Sequence, residues 1–295
     1  MSTAAASQSN IRAGIGCILA GIFCLTISDG LAKWLGAFYA PIQILFLRAL
    51  IALPLVTALV LFLGGHRALR TRHIGVHLLR GALNVAAASF FYLGLTRLPL
   101  AENTAIAFCA PLFVTAISVA FLGEKVSKGG WLAILAGFVG VIVIVRPSPG
   151  NIQWAALLPL ATAFGYAIMM VSAKRISARE SMFTTMFYIV FGQLVFAGLP
   201  LAFFWTPIDW AHLPGFIGIA ICSTAGLGLI TQAFRMAPAS VVAPFDYFGL
   251  ISATLLGWFF WNEVPDVWFY VGALTIAASG IYVALSNGRR KQSPA

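Results

Sequence analysis

Among the charged residues inside long apolar stretches, Asp29, Lys33, Arg48 and Asp246 stand out. A charge at the centre of a bilayer costs at least about 2.5–3.5 kcal/mol on insertion scales, so each needs a partner or a task. Asp246 is about seven residues into its stretch, roughly 10 Å along a helix. There it can titrate as a proton-coupling carboxylate or recognise a substrate ammonium. The competing reading is a structural carboxylate that pairs with Arg48 or caps a backbone broken near Pro244. Arg48 can hold a substrate carboxylate in a bidentate fork. Its plainer reading is a helix-packing ion pair or a side chain that snorkels outward. Asp29 and Lys33 are one helical turn apart, which predicts an i,i+4 pair near the end of the first stretch, with a gating role as the sharper alternative.

Other chemistry is poorly served. His66, His73 and His77 lie in or beside a basic loop without acidic partners, and His212 stands alone. Cys17, Cys24, Cys109 and Cys222 fall inside apolar stretches with no CxxC spacing, so they read as packing residues rather than disulfide or metal ligands. No GxxxxGK[ST] phosphate loop occurs. No metal site and no cofactor are expected. An intramembrane enzyme is the remote alternative to transport, because such chemistry needs clustered acids or histidines. A passive channel is a further rival.

The elements that must position these charges are membrane helices. The chain is 61% hydrophobic and 9% charged, against roughly 25% charged for a soluble domain. Windows of about 20 apolar residues can be placed about ten times, near 12–33, 41–63, 76–96, 101–122, 129–146, 153–173, 183–204, 213–234, 239–261 and 265–285. Continuous runs rather than alternation exclude a β-barrel and predict an all-α integral membrane protein. The first run is too long for a signal peptide, lacks a cleavage pattern and is followed by Asp29 and Lys33, so it reads as retained. Short linkers leave no room for a soluble domain.

The net charge of +10 is distributed one-sidedly. Fourteen of the eighteen basic residues, among them Arg12, Arg67, Arg70, Arg72, Arg80, Lys125, Lys128 and Arg235, fall on one face if the N-terminus is cytoplasmic. Lys33, Arg97 and Arg146 fall on the other. The positive-inside rule then puts both termini in the cytoplasm and makes these charges topogenic rather than nucleic-acid binding. The expected partners are a small-molecule substrate and membrane lipid, with no nucleic acid.

The chain is also duplicated. Pro99-Leu100-Ala101 with Glu124 twenty-five residues beyond the proline recurs 139 residues later as Pro238-Ala239-Ser240 with Glu263. Ten spans divide into two five-helix repeats, 12–146 and 153–285, with cytoplasmic tails at 1–11 and 286–295. An odd number of spans per repeat inverts the second copy, a common plan for secondary transporters that bind substrate near the midplane between halves. The second copy lacks a counterpart to Asp29 and has Phe187 where the first has Arg48.

The segment Gly123-Glu124-Lys125-Val126-Ser127-Lys128-Gly129-Gly130-Trp131, followed by Gly137 and Gly140, resembles the end of an EamA-type repeat of the drug/metabolite transporter superfamily. Asn262-Glu263-Val264-Pro265 with Gly272 and Gly280 resembles the same element in a second copy, and Asp29, Lys33 and Phe46-Leu47-Arg48 fit the start of the first. The resemblance covers essentially the whole chain. It implies ten helices around a central cavity lined mainly by spans one, three, four, six, eight and nine, cytoplasmic termini, and export of small metabolites across the inner membrane. The chain looks most like the amino-acid exporter branch, including the aromatic amino-acid exporter; multidrug, sugar or nucleoside export is the alternative. On the cavity spans, Asn84, Tyr92, Asn103, Phe108, Tyr166, Gln232, Asp246 and Tyr247 are the candidate substrate contacts. Their polar groups can instead bond across helices, worth about 0.6 kcal/mol on average. Asp29, Arg48 and Asp246 are the candidates for gating or coupling, with Arg48 favoured as structural because span two is peripheral in the family. Pro111 and Pro244 are expected to kink spans four and nine. Gly137, Gly140, Gly272 and Gly280 serve close packing or a dimer contact, which leaves monomer and homodimer both open.

Overall fold

In a computed structural model, residues 2–69, 71, 73–123, 126–146, 154–174 and 182–290 are described. Glu124, Lys125, Arg70 and Arg72 lie outside them, as do Arg175, Arg179 and Lys291, which belong to the fourteen basic residues counted on one face. The described residues form helices joined by short turns and contain no strand. In the first half these are α1 (Ser2–Leu35), α2 (Pro41–Gly64), α3 (Ile74–Leu95), α4 (Leu100–Ala107), α5 (Ala110–Leu122) and α6 (Lys128–Val145). The second half has α7 (Leu157–Lys174), α8 (Met182–Gly198), α9 (Leu201–Phe204), α10 (Leu213–Met236), α11 (Ala239–Val242), α12 (Phe248–Trp261) and α13 (Val267–Arg290). Among the described residues, seven helical stretches are long and apolar enough to cross a membrane, and apolar helices at Phe183–Gly198 and Val267–Val283 are shorter. The window at 239–261 is divided between α11, a 3-10 turn over Ala243–Tyr247 and α12.

Apolar side chains gain nothing by leaving lipid for one another, so helix association in a bilayer depends on close backbone approach. This chain supplies glycine at the main crossings. α1 lies along α10, where a Cβ on Gly21 would stand 2.9 Å from the Gly226 carbonyl oxygen. α3 crosses α8 with Gly81 against Gly192, and α6 runs along α13 with Gly140 against the backbone of Gly272. The glycines of α6 and α13 are therefore spent within the chain, and Gly280 faces the Tyr247 ring.

The two prolines begin helices instead of kinking them. Pro111 lies in the first turn of α5 and Pro244 in the first turn of the 3-10 segment before α12. There the missing N–H is one that would lack a helical partner anyway. The 139-residue register recurs at these breaks. Phe108 caps α4, its counterpart Tyr247 precedes α12, and their ring centroids are 5.2 Å apart. It recurs again where α5 ends on Gly123 at φ 65° and α12 on Asn262 at φ 53°, the left-handed conformation that glycine and asparagine accept best. Ser127 and Asp266, one register apart, then cap α6 and α13 by accepting from the N–H groups of Gly130 and Phe269.

Gly140→Leu should lower Tm in detergent clearly, since overpacking costs typically about 1–3 kcal/mol and the atom opposite is a backbone oxygen at 2.9 Å. Leu135→Ala, on an exposed face of the same helix, should leave Tm nearly unchanged in the same thermal-shift experiment.

Candidate functional site

Asn262 turns the chain out of α12 and delivers Glu263 back against the bundle, where its N–H bonds the Gly257 carbonyl at 3.1 Å. Glu263 Oε1 then meets Lys33 Nζ at 2.5 Å, and Oε2 accepts from Leu100 N at 2.8 Å. Leu100 opens α4, so the carboxylate satisfies one of the unpaired donors at a helix N-terminus, where the helix dipole also favours an anion. Lys33 donates further to the Leu98 carbonyl at 2.8 Å and stands 5.7 Å from the Trp261 ring centre. One ion pair thus joins α1, the turn between α3 and α4, and the end of α12.

This overturns the expected Asp29–Lys33 pair. Glu263 reaches Lys33 while its second oxygen is fixed by Leu100 N, and the ammonium finds a carbonyl beside it. Asp29, one turn away, offers neither. At the same end of the bundle Arg146 pairs with Asp266, tying α6 to α13. Gln43 exchanges both amide hydrogen bonds with the Thr206 backbone at 2.7 and 2.9 Å. Tyr39 Oη accepts from Asp209 N at 3.0 Å and lies 2.9 Å from His212 Nδ1. A side pocket of about 400 Å³ lined by Lys33, Thr96, Arg97, Trp261 and Glu263 lies beside the closure.

A second polar group lies deeper. Arg48 on α2 donates from Nη1 to the Tyr92 hydroxyl on α3 at 3.0 Å, and Tyr92 is only 2% exposed. Asp29 on α1 is close enough for its charge to act on both. Arg48 therefore belongs with Tyr92 and Asp29, not with Asp246. On its other side it lines a cavity of about 110 Å³ between α2, α8 and α10, with Gln193, Ser223 and Thr231.

The third group surrounds Tyr166 on α7. Tyr166 is 43% exposed. Its phenol lies within electrostatic reach of Asp246, in the turn before α12, and of Arg80 on α3. Tyr247 follows Asp246 and rests against Phe108. Arg80 is 6% exposed, its Nε has no hydrogen-bond partner, and it makes no ion pair with a described residue. The charge count had placed Arg80 among topogenic loop residues, and the structure corrects this. The signal was available: Arg80, Asn84 and Ala87 share one stripe of α3, and the apolar window already began at 76.

The remaining candidates divide. Asn84 faces Met169 of α7, its Nδ2 4.0 Å from the sulfur, and Thr162 of α7 bonds the Ala87 carbonyl at 3.0 Å. Asn103 is fully buried and donates to the Phe91 carbonyl at 3.3 Å, which locks α4 onto α3. Gln232 is exposed on α10 and makes no hydrogen bond to a described residue. The structure gathers Tyr166, Asp246, Tyr247 and Phe108, gathers Tyr92 with Arg48 and Asp29, and leaves Asn84, Asn103 and Gln232 apart from both groups. Among the described residues no group of three or more His, Cys, Asp or Glu could hold a metal ion.

Residues 12–146 and again 153–285 match the EamA-like transporter family. The chain belongs to that family. It is a multi-pass membrane transporter of the drug/metabolite transporter superfamily. An S-adenosylmethionine uptake transporter of Rickettsia bellii is 26% identical over 274 residues, covering 93% of this chain and 94% of the relative. A riboflavin transporter of Vibrio cholerae is 31% identical over 240 residues, 79% of each chain. The pseudopaline exporter CntI of Pseudomonas aeruginosa is 27% identical over 282 residues, 95% of this chain and 98% of the exporter. A solved crystal structure shares the fold with a TM-score of 0.63 at 18% identity, covering 94% of this chain and 99% of its own.

In this EamA transporter, Glu263→Gln should loosen the Lys33 end. With the native cysteines removed and a single cysteine at Ala101, which is 1% exposed, labelling by a membrane-impermeant maleimide should be several-fold faster in the Glu263→Gln background than with Glu263 intact.

Proposed function

We propose that this chain is a secondary transporter of the inner membrane that crosses it ten times, as two inverted five-helix repeats, and moves a small metabolite bearing an amino-acid group by alternating access. The observation that carries the reading is the Asp246 carboxylate in the break before α12, within electrostatic reach of Tyr166, in a bundle whose halves are tied at one end by Lys33–Glu263 and Arg146–Asp266. Inversion is supported by reciprocal contacts in the 139-residue register: Gly140 meets Ile276 as Gly137 meets Ser279, and α1 packs on α10 as α7 packs on α3. With both termini in the cytoplasm, as the basic residues favour, the Lys33 end is external. The conformation is then closed to the outside, and substrate enters and leaves the cytoplasmic side.

Asp246 is the residue on which the proposal places substrate ammonium recognition or coupling, with Tyr166, Tyr247 and Phe108 as the aromatic walls. Asp29, Arg48 and Tyr92 support the bundle beside the closure. The relatives named above are described by S-adenosylmethionine, riboflavin and pseudopaline, and none by export of simple amino acids. The amino-acid group is therefore proposed as the recognised part of a larger molecule, as in S-adenosylmethionine, and export rests on the family resemblance. Family and relatives are transporters, which favours carriage over catalysis.

Counterflow in proteoliposomes tests this, with unlabelled amino acids or S-adenosylmethionine inside and labelled methionine, phenylalanine or S-adenosylmethionine outside. Saturable, cross-competing accumulation is expected, and Asp246→Asn should abolish most of it without changing elution on size exclusion. Flux without saturation or counterflow would instead mark a channel.

A further inference from the structure

Resting on the transport reading above, we infer that Arg80 anchors the substrate carboxylate, so that the site reads a molecule carrying both charges, with Asp246 meeting its ammonium. A guanidinium has five N–H donors and no acceptor, and it stays charged under any physiological condition. Burying one without an anion is costly, and folded proteins rarely leave such a group unmet. Arg80 is 94% covered by its own chain, yet its Nε is unpartnered and no described carboxylate pairs with it. Its position on α3 explains the direction it faces. Asn84 and Ala87, one and two turns along the same stripe, both meet α7, the helix that carries Tyr166.

The other interior arginine is already occupied. Arg48 bonds Tyr92 and has Asp29 within electrostatic reach. Arg80 has the Tyr166 phenol within electrostatic reach, and the same phenol is within reach of Asp246. A ligand with an anionic and a cationic end supplies what each side chain lacks. A carboxylate suits Arg80 because its two oxygens match the guanidinium fork. The Tyr166 ring gives an apolar body a surface to lie on. Molecules with a lone positive charge, or none, leave Arg80 buried and unmet and bind less well.

The test compares phenylalanine with phenylalaninamide, which keeps the ring and the amine and lacks the carboxylate. In wild-type counterflow, phenylalanine should compete for the site at a concentration at least tenfold lower than the amide. In Arg80→Gln that preference should vanish, through a tenfold to hundredfold rise in the half-saturating concentration of phenylalanine, the loss of a charge-assisted pair. Arg80→Lys, which keeps the charge and loses the fork, should be intermediate, and it serves if Arg80→Gln fails to fold. A wild-type protein that does not distinguish the two compounds, or an Arg80→Gln protein that still prefers phenylalanine, overturns the inference and leaves the transport reading intact. Failure of the wild type to show counterflow with any cargo overturns the transport reading and this inference with it.

Discussion

The ion pair between Lys33 and Glu263 is the interaction on which the arrangement turns. It sits where three elements of different origin meet, and each atom of it has a second partner: Leu98 O for the ammonium, Leu100 N for the carboxylate. Desolvating two charges roughly cancels their attraction unless such extra hydrogen bonds are made. Here they are made, on backbone groups that a helix start and a turn leave unpaired anyway. The pair is therefore firm when assembled and of modest net worth overall. In the proposed alternating-access cycle this contact has to open and reform, and that balance suits it.

Around this closure the helices differ in how freely they can move. Backbone-close glycine crossings fix α1 on α10 and α6 on α13. The α4–α5 and α11–α12 segments are broken in mid-course, and Phe108 and Tyr247 meet at those breaks in repeat register. Breaks release backbone groups and let short helices pivot, which is where transporters place their sites. Asp246 lies within such a break, and Tyr166 is within electrostatic reach of it.

The repeats were legible in the sequence because helix-end chemistry is local. The Pro99 and Pro238 signals start α4 and α11, and Asn262 ends α12 in the same way that Gly123 ends α5. Long-range partners were not legible. Lys33 and Glu263 are 230 residues apart, so the nearer Asp29 was preferred on spacing alone. Arg80 was misread because hydropathy treats an arginine near a span end as the loop's charge, whereas its burial depends on α7 and α8 packing over it. The break before α12 was also underestimated, since a proline pattern shows that a helix is disturbed and not whether it restarts. Of the candidate site, Asp246 stands out in the sequence as a charge within an apolar run, and Phe108, Tyr166 and Tyr247 as residues on the spans that the family resemblance makes cavity-lining. The basic member required the fold.

Charge reversal at the closure tests the account most directly. Counterflow should fall sharply in Lys33→Glu and in Glu263→Lys, each of which sets like charges together, and it should recover substantially in the double reversal, where attraction is restored across the same contact. Single reversals that transport like the wild type, or a double reversal no better than either single, would contradict a closure made by this ion pair.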